Sequence, residues 1–268
     1  MGIFIYIIPF VIICFFVLWV YGFIRANDLS VETNDIKGFD TVKKVLVIFP
    51  HPDDEAQTVT GTLSCLVKNG VEVDWVILTK GERGTDDAHL DTNLRSIRVK
   101  ESQHVAKLVG IGSLVFYDYP DNDVSRLKNK LIDDLQKVIA SYEPDLIITY
   151  DQSGGYGHPD HIVVSNVVTR LLQKDFPKVQ LWYTSIPQKL YSQLTLPVQM
   201  AKNKKFKSER LLPNVKVWIG LSGMITKIRS VYAYQSQFLS FTKSVPIKQI
   251  PMWFYISLTP YEYFHKVR

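Results

Sequence analysis

The 268-residue sequence predicts an α/β fold: a Rossmann-like, mainly parallel sheet with helices on both faces, preceded by one N-terminal transmembrane helix. Three observations predict it. From Lys43 to Thr184, short apolar runs alternate with helical stretches of 12–18 residues, the pattern of right-handed βαβ crossovers. The first of these runs is apolar almost throughout rather than at every second position, as expected of a strand covered on both faces. Ahead of the alternation, Ile3 to Ile24 is 22 residues without a charge, and about 20 suffice to cross the hydrocarbon of a bilayer.

Taken in order, Ile3–Ile24 carries Trp19 and Tyr21 near its end, where amphipathic rings favour the membrane interface. No basic residue precedes the run and no small-x-small cleavage motif closes it, so residues 1–25 are expected to be an uncleaved anchor rather than a signal peptide. Arg25, Lys37, Lys43 and Lys44 all follow the run, which by the positive-inside rule places the remainder on the cytoplasmic side. Residues 26–42 are polar, lack periodicity and read as a tether.

The α/β domain is expected over 43–186. Strand 43–50 leads to a helix from Ala56 to Lys68, stopped by Asn69-Gly70. Strand 71–79 follows, then a polar loop over 80–87 and a helix from about Thr92 to Val109. Strand 114–119, a helix from Ser125 to Tyr142, strand 145–150, a helix from Pro159 to Gln173 and strand 179–184 complete the series.

Beyond Pro187 the alternation fades. Residues 187–268 are expected to be a basic, aromatic extension packed on the domain or on the membrane, with an amphipathic helix over Met224–Phe238. The stretch Ile250–Ile256 is strongly apolar but too short to span. Residues 181–268 hold 13 Lys and Arg against only Glu209 and Glu262, so the rest of the chain is net acidic within an overall +5. Such an end attracts phosphate or anionic headgroups, or is simply a solvated face. No Cys/His finger or RNP-type aromatic pattern is present, which argues against a nucleic-acid partner. Cys14 and Cys65 make neither a disulfide framework nor a thiolate metal site, so a metal here would need His and carboxylates.

Two clusters offer those groups. His51-Pro52-Asp53-Asp54-Glu55 follows the first strand, and Gly157-His158-Pro159-Asp160-His161 follows strand 145–150. In an open α/β sheet the carboxyl ends of strands are where ligands bind. Pro159 suits the first helical position, which puts His158 at the cap and His161 about one turn on. Catalytic zinc commonly takes two His and one carboxylate and keeps an open position, with a further carboxylate as general base. His51, His161 and one of Asp53 and Asp54 meet that demand; spacing alone leaves open which Asp ligates. His89, His104 and His265 stand alone and are read as structural or surface residues.

These paired motifs, in this order on a βα framework, resemble the LmbE/PIG-L de-N-acetylase family over roughly residues 43–185. The resemblance implies a zinc-dependent hydrolase, with Fe²⁺ as another possible metal, that removes the N-acetyl group of an N-acetylglucosamine-containing conjugate. It implies His51, Asp54 and His161 as metal ligands and Asp53 as general base. His158 would protonate the leaving amine, with Asp160 orienting it and Tyr156 assisting at the oxyanion. Arg98, in Arg98-Val99-Lys100-Glu101, and Asp121 would contact the sugar. The anchor and basic tail favour a lipid-linked substrate. The alternative is a non-catalytic, membrane-tethered sugar- or nucleotide-binding module; against nucleotide, the first βα turn lacks Gly-x-Gly-x-x-Gly.

Overall fold

The structure, a computed structural model, describes residues 2–34, 36–84, 93–196, 200, 209–245 and 250–267, without the side chains of residues 2–5 and 37. The basic cluster Lys202–Lys207 and loop residues 85–92, with His89 and the expected helix start at Thr92, lie outside the described residues.

Helix α1 (Gly2–Ala26) comes first, then strand β1 (Glu32–Asn34) and β2 (Lys44–Phe49). Two short helices follow, α2 (Asp54–Thr58) and α3 (Thr60–Lys68), then β3 (Glu72–Ile77), α4 (Leu94–Val109), β4 (Leu114–Phe116) and α5 (Lys128–Tyr142). Strand β5 (Leu146–Tyr150) leads through the turn α6 (Gly154–Gly157) into α7 (Pro159–Lys174) and β6 (Gln180–Thr184). The last part holds α8 (Gln188–Tyr191), β7 (Val215–Trp218), α9 (Gly220–Ala233), α10 (Phe238–Ser244), α11 (Met252–Ser257) and β8 (Tyr261–Lys266).

Among the described residues, eight strands form one sheet in the order β1-β7-β8-β6-β5-β2-β3-β4, parallel except that β8 runs against both β6 and β7. The chain leaves β2 towards β3 and β4, then returns to lay β5 on the other side of β2 and β6 beyond it. The carboxyl ends of β2 and β5 therefore flank the point where the winding reverses, the crevice in which doubly wound sheets bind ligands. Both His/Asp clusters follow those two strands.

Alternate residues of β2 explain why the run reads as apolar throughout. Val45, Val47 and Phe49 pack against Leu63 and Leu66 of α3 and Val105 and Val109 of α4. Leu46 and Ile48 face the other core, with Leu131, Leu135 and Ile139 of α5 and Val164, Val168 and Leu172 of α7. With the strand covered on both faces, neither parity of residue is left for polar side chains.

Three sequence expectations change. The single helix from Ala56 to Lys68 is instead broken at Val59, which has φ −135° and ψ −8°. The run Thr58-Val59-Thr60 is β-branched, a weak helix segment, and the new helix start is capped from far away. Gly61 and Thr62 N–H donate to the two Glu262 oxygens at 3.0 and 2.7 Å. The tether contributes an edge strand, since Glu32–Asn34 pairs with Val215–Val217. The segment beyond Pro187 is likewise no mere appendage: β7 and β8 belong to the sheet, and the expected helix over 224–238 runs over Gly220–Ala233.

Part of the basic excess is also internal. Lys216 Nζ donates to the Asp28 and Leu29 carbonyls at 3.1 and 3.0 Å, and buried Lys227 meets buried Glu262 at 2.8 Å. Removing one partner of a buried pair strands the other charge, which costs about 3–5 kcal/mol. Glu262→Ala is expected to destabilise by that order in denaturant titration. Adding Lys227→Met should recover part of the loss, because no unpaired charge remains inside.

Candidate metal centre

Residues 50–55 make a sharp corner at the end of β2. Asp53 caps α2 with φ +96°, a left-handed conformation that Asp adopts more readily than most non-glycine residues. The corner returns Asp54 towards His51, whose backbone N–H donates to Asp54 Oδ2 at 2.9 Å. After β5, the Asp151 carboxylate accepts from Ser153 Oγ and Gly155 N–H and from Leu211 N–H, pinning the glycine loop. That loop delivers His158 to the cap of α7, with Pro159 at its first position, and His161 inside its first turn, as the sequence predicts.

His51 Nδ1 and His161 Nε2 lie 3.1 Å apart, and Asp54 approaches both, at 3.6 and 3.4 Å. The remaining ring nitrogens decide the protonation pattern. His161 Nδ1 donates to the Gly154 carbonyl at 3.2 Å, while His51 Nε2 donates to Asp160 Oδ2 at 3.1 Å and meets Asp121 Oδ1 at 3.2 Å. With those nitrogens carrying protons, the two that face each other either share one proton in a hydrogen bond or both turn lone pairs to a cation. A cation there would displace that shared proton and take both imidazole nitrogens together with the neighbouring carboxylate. Tetrahedral zinc with ligands at about 2.0–2.1 Å spaces its donor atoms about 3.3–3.4 Å apart. The observed separations fit a divalent metal. Two other groupings, His51–His158–His161 and His51–Asp121–Asp160, also bring donor atoms within 4.8 Å of one another. They fit less well, because His158 Nδ1 already accepts from Asp160 N–H at 3.2 Å and the two acids engage the protonated side of His51.

Titration behaviour follows from these contacts. Burial opposes a proton on His51, but hydrogen bonds to Asp121, Asp160 and Asp54 outweigh it and raise its pKa well above the usual value. Burial, with the neighbouring His158 and His51, drives His161 well down against the pull of Asp54; burial would also raise Asp54, whose carboxyl is nevertheless held low by His161 and His51. Asp53 is pushed up by burial against the pull of Arg98. His158 falls to about 4, through burial and the neighbouring His51.

The remaining expected residues are all close by, with different partners for three of them. The carboxylate of Asp160 does not face His158. It holds His51 and the Asn122 and Val124 backbone N–H groups, and only its own N–H touches His158. Asp121 accepts from His51 and from Arg83 N–H, so both of its oxygens are engaged by protein. Arg98 pairs with Asp53 at 3.0 Å and donates to the Pro52 and Gly81 carbonyls. A Cβ at Gly81 would collide with that guanidinium. Tyr156 lines the cavity above the donors, its ring 5.0 Å from that of His161.

Two participants escape sequence reasoning. Tyr150 donates to Asp54 Oδ1 at 2.9 Å and stacks on His161 at 4.2 Å. Its signal was present: a polar tip on the last residue of an apolar strand, at the reactive end. Glu55 is buried behind the donors, its pKa lifted to about 8 by burial, and accepts from Tyr234, 179 residues away. No local pattern announces that partnership.

A profile of the PIG-L family, described as GlcNAc-PI de-N-acetylase, matches residues 46–172. A mycothiol S-conjugate amidase of Streptomyces coelicolor is 32% identical over 145 residues, which are 46% of this chain and 50% of the amidase. A 1D-myo-inositol 2-acetamido-2-deoxy-alpha-D-glucopyranoside deacetylase of Corynebacterium diphtheriae is 31% identical over 192 residues, covering 61% of this chain and 64% of that protein. The chain spans about half the length of most curated relatives it matches. Among solved structures, the N,N'-diacetylchitobiose deacetylase of Pyrococcus horikoshii superposes with a TM-score of 0.62 over 91% of this chain and 88% of its own, at 23% identity, a likeness of fold. Over residues 46–172, a little under half of its length, the chain is similar to the PIG-L family.

Proposed function

We propose that this chain is a metal-dependent hydrolase that removes the N-acetyl group from an N-acetylglucosamine conjugate, with zinc as the metal and a lipid-linked substrate. The observation that carries the reading is the pair of facing imidazole nitrogens 3.1 Å apart, with Asp54 beside them and a second carboxylate, Asp53, at the same cavity. The relatives' names supply the substrate class: an amidase and deacetylases acting on amino-sugar conjugates.

His51, Asp54 and His161 would hold the metal, which when bound polarises the acetyl carbonyl and acidifies a water. Asp53 takes the proton from the attacking water; burial makes it a stronger base than an exposed carboxylate. Arg98 fixes the direction of that carboxylate. His158 accepts a backbone N–H at Nδ1, which leaves the proton of its neutral ring on Nε2. From there it donates a hydrogen bond to the oxyanion, Tyr156 donates from the cavity wall, and the proton that Asp53 took from the water passes to the departing amine. Asp160 and Asp121 position His51 by holding its Nε2 proton. Asp160→Asn is expected to weaken zinc binding by about 10–100-fold, the usual cost of losing an outer partner of a ligating His, read by competition against a chelator.

α1 is long and apolar enough to cross a membrane by length and composition. We take it as an anchor that holds the domain at the cytoplasmic surface, following the charges after the span; a reporter fused after Arg268 tests the side. The deciding experiment is metal analysis of the purified full-length protein coupled to amine release from a panel of N-acetylglucosamine conjugates. Zinc near one equivalent with free amine is the expected result. Absence of both would favour a sugar-binding module without catalysis.

A further inference from the structure

The cavity above the donor cluster is about 510 Å³ in volume and extends well past the donors. One part of its lining is polar, with His51, Asp53, Arg98 and Tyr156. Another is hydrocarbon: Leu190 and Leu194 after β6, Phe241 of α10, and Met252 and Ile256 of α11. Among the other charged groups that line it, Lys227 and Glu262 neutralise each other at 2.8 Å. An amino sugar satisfies the polar part and leaves the apolar one without a partner.

Helix α11 stands between that apolar wall and α1. Its Phe254 ring lies 5.5 Å from Phe15, its Ser257 accepts from Trp19 Nε1 at 3.4 Å, and Leu258 packs on Gly22, where a Cβ would come within 3.0 Å. At about 1.5 Å per helical residue, Phe15 lies about 14 Å along α1 before Ile24, the end of the uncharged run. A bilayer that takes up that run therefore surrounds α11 as well, at hydrocarbon depth. Trp253, on the same short helix, is 50% exposed. One face of α11 thus touches the span while the other lines the cavity.

We propose that the apolar part of this cavity is a subsite for the hydrocarbon tail of a membrane-lipid substrate, admitted beside α11. The proposal rests on the deacetylase reading and adds where the tail goes and which side chains hold it. The occupant is the alkyl or acyl chain of the conjugate whose amino sugar sits over the donor cluster.

The test uses full-length protein in amphipol and the deacetylated products, glucosaminides bearing methyl, butyl or octyl aglycones, each below its micelle concentration. Calorimetry reads Kd. Each buried methylene tightens binding roughly fourfold, the equivalent of about 0.8 kcal/mol. Octyl is expected to bind more than about 100-fold tighter than methyl. Leu194→Asn should shrink that ratio at least tenfold, and Leu190→Phe, which narrows the apolar part of the cavity, should remove the gain from butyl to octyl. Equal Kd across the series in the native protein overturns the proposal, and so does a steep series that neither variant alters, since the chain then binds elsewhere. Amine release is scored separately on methyl N-acetylglucosaminide. Turnover there with a flat series overturns the tail subsite alone. A steep series with no amine from any conjugate supports the subsite and overturns the deacetylase reading.

Discussion

Asp53→Asn is expected to leave about one zinc per chain while turnover falls by at least about 10³-fold, within the range that a positioned general base contributes. Asn is the informative replacement because it keeps the shape of the side chain and tolerates the +96° φ that this corner requires. It cannot accept a proton from water at neutral pH. Ala would add a backbone penalty and leave the buried Arg98 guanidinium with no acceptor at all, where Asn keeps its Oδ1, so a loss there would mix folding with chemistry. Zinc content by atomic emission and turnover by acetate or amine release must be measured on the same preparation. Loss of zinc from Asp53→Asn would show that the two aspartates exchange roles; turnover within tenfold of wild type would remove Asp53 from the proton transfer.

His161→Ala is expected to lose both metal and activity. The imidazole supplies one of the three donor atoms and cannot be replaced by a neighbour, because His158 Nδ1 is committed to the Asp160 N–H. Losing a direct ligand should cost more than the 10–100-fold that outer partners cost, so zinc affinity should fall well beyond 100-fold. A cavity is also left where Tyr150 stacks on the ring, and stability should drop modestly as well. His161→Gln fills that space while presenting a poorer ligand, and separates the two effects: a folded protein without zinc supports the ligand role. Wild-type zinc content in either variant would exclude it.

Much of the fold was legible because its physics is local. A strand covered on both faces must be apolar at every position, and the alternation of such runs with helical stretches leaves few topologies other than a parallel sheet. The expected strands over 43–184 all appear, with ends moved by a residue or a few. The last two strands were not legible. Val215–Trp218 and Tyr261–Lys266 are short, carry Lys216, Glu262 and Lys266, and read as loop until they find the sheet edge. The buried Lys216 is satisfied by carbonyls of the segment around β1, nearly 190 residues earlier. The break at Val59 was equally hidden, because the carboxylate that caps the second helix comes from β8.

The sequence by itself determined which chemical groups meet. Two His/Asp clusters that follow two buried parallel strands have to converge at the carboxyl edge of the sheet, since strand direction and the crossover rule allow little else. Only the tertiary structure decided how the protons are shared among those groups. Asp160 and Asp121 turn from the substrate side to His51, and Arg98 turns to Asp53, because each carboxylate or guanidinium buried here must first satisfy its nearest charged or polar neighbour. Tautomer, base strength and ligand choice depend on contacts shorter than 4 Å between residues dozens to more than a hundred positions apart, and no spacing along the chain encodes them.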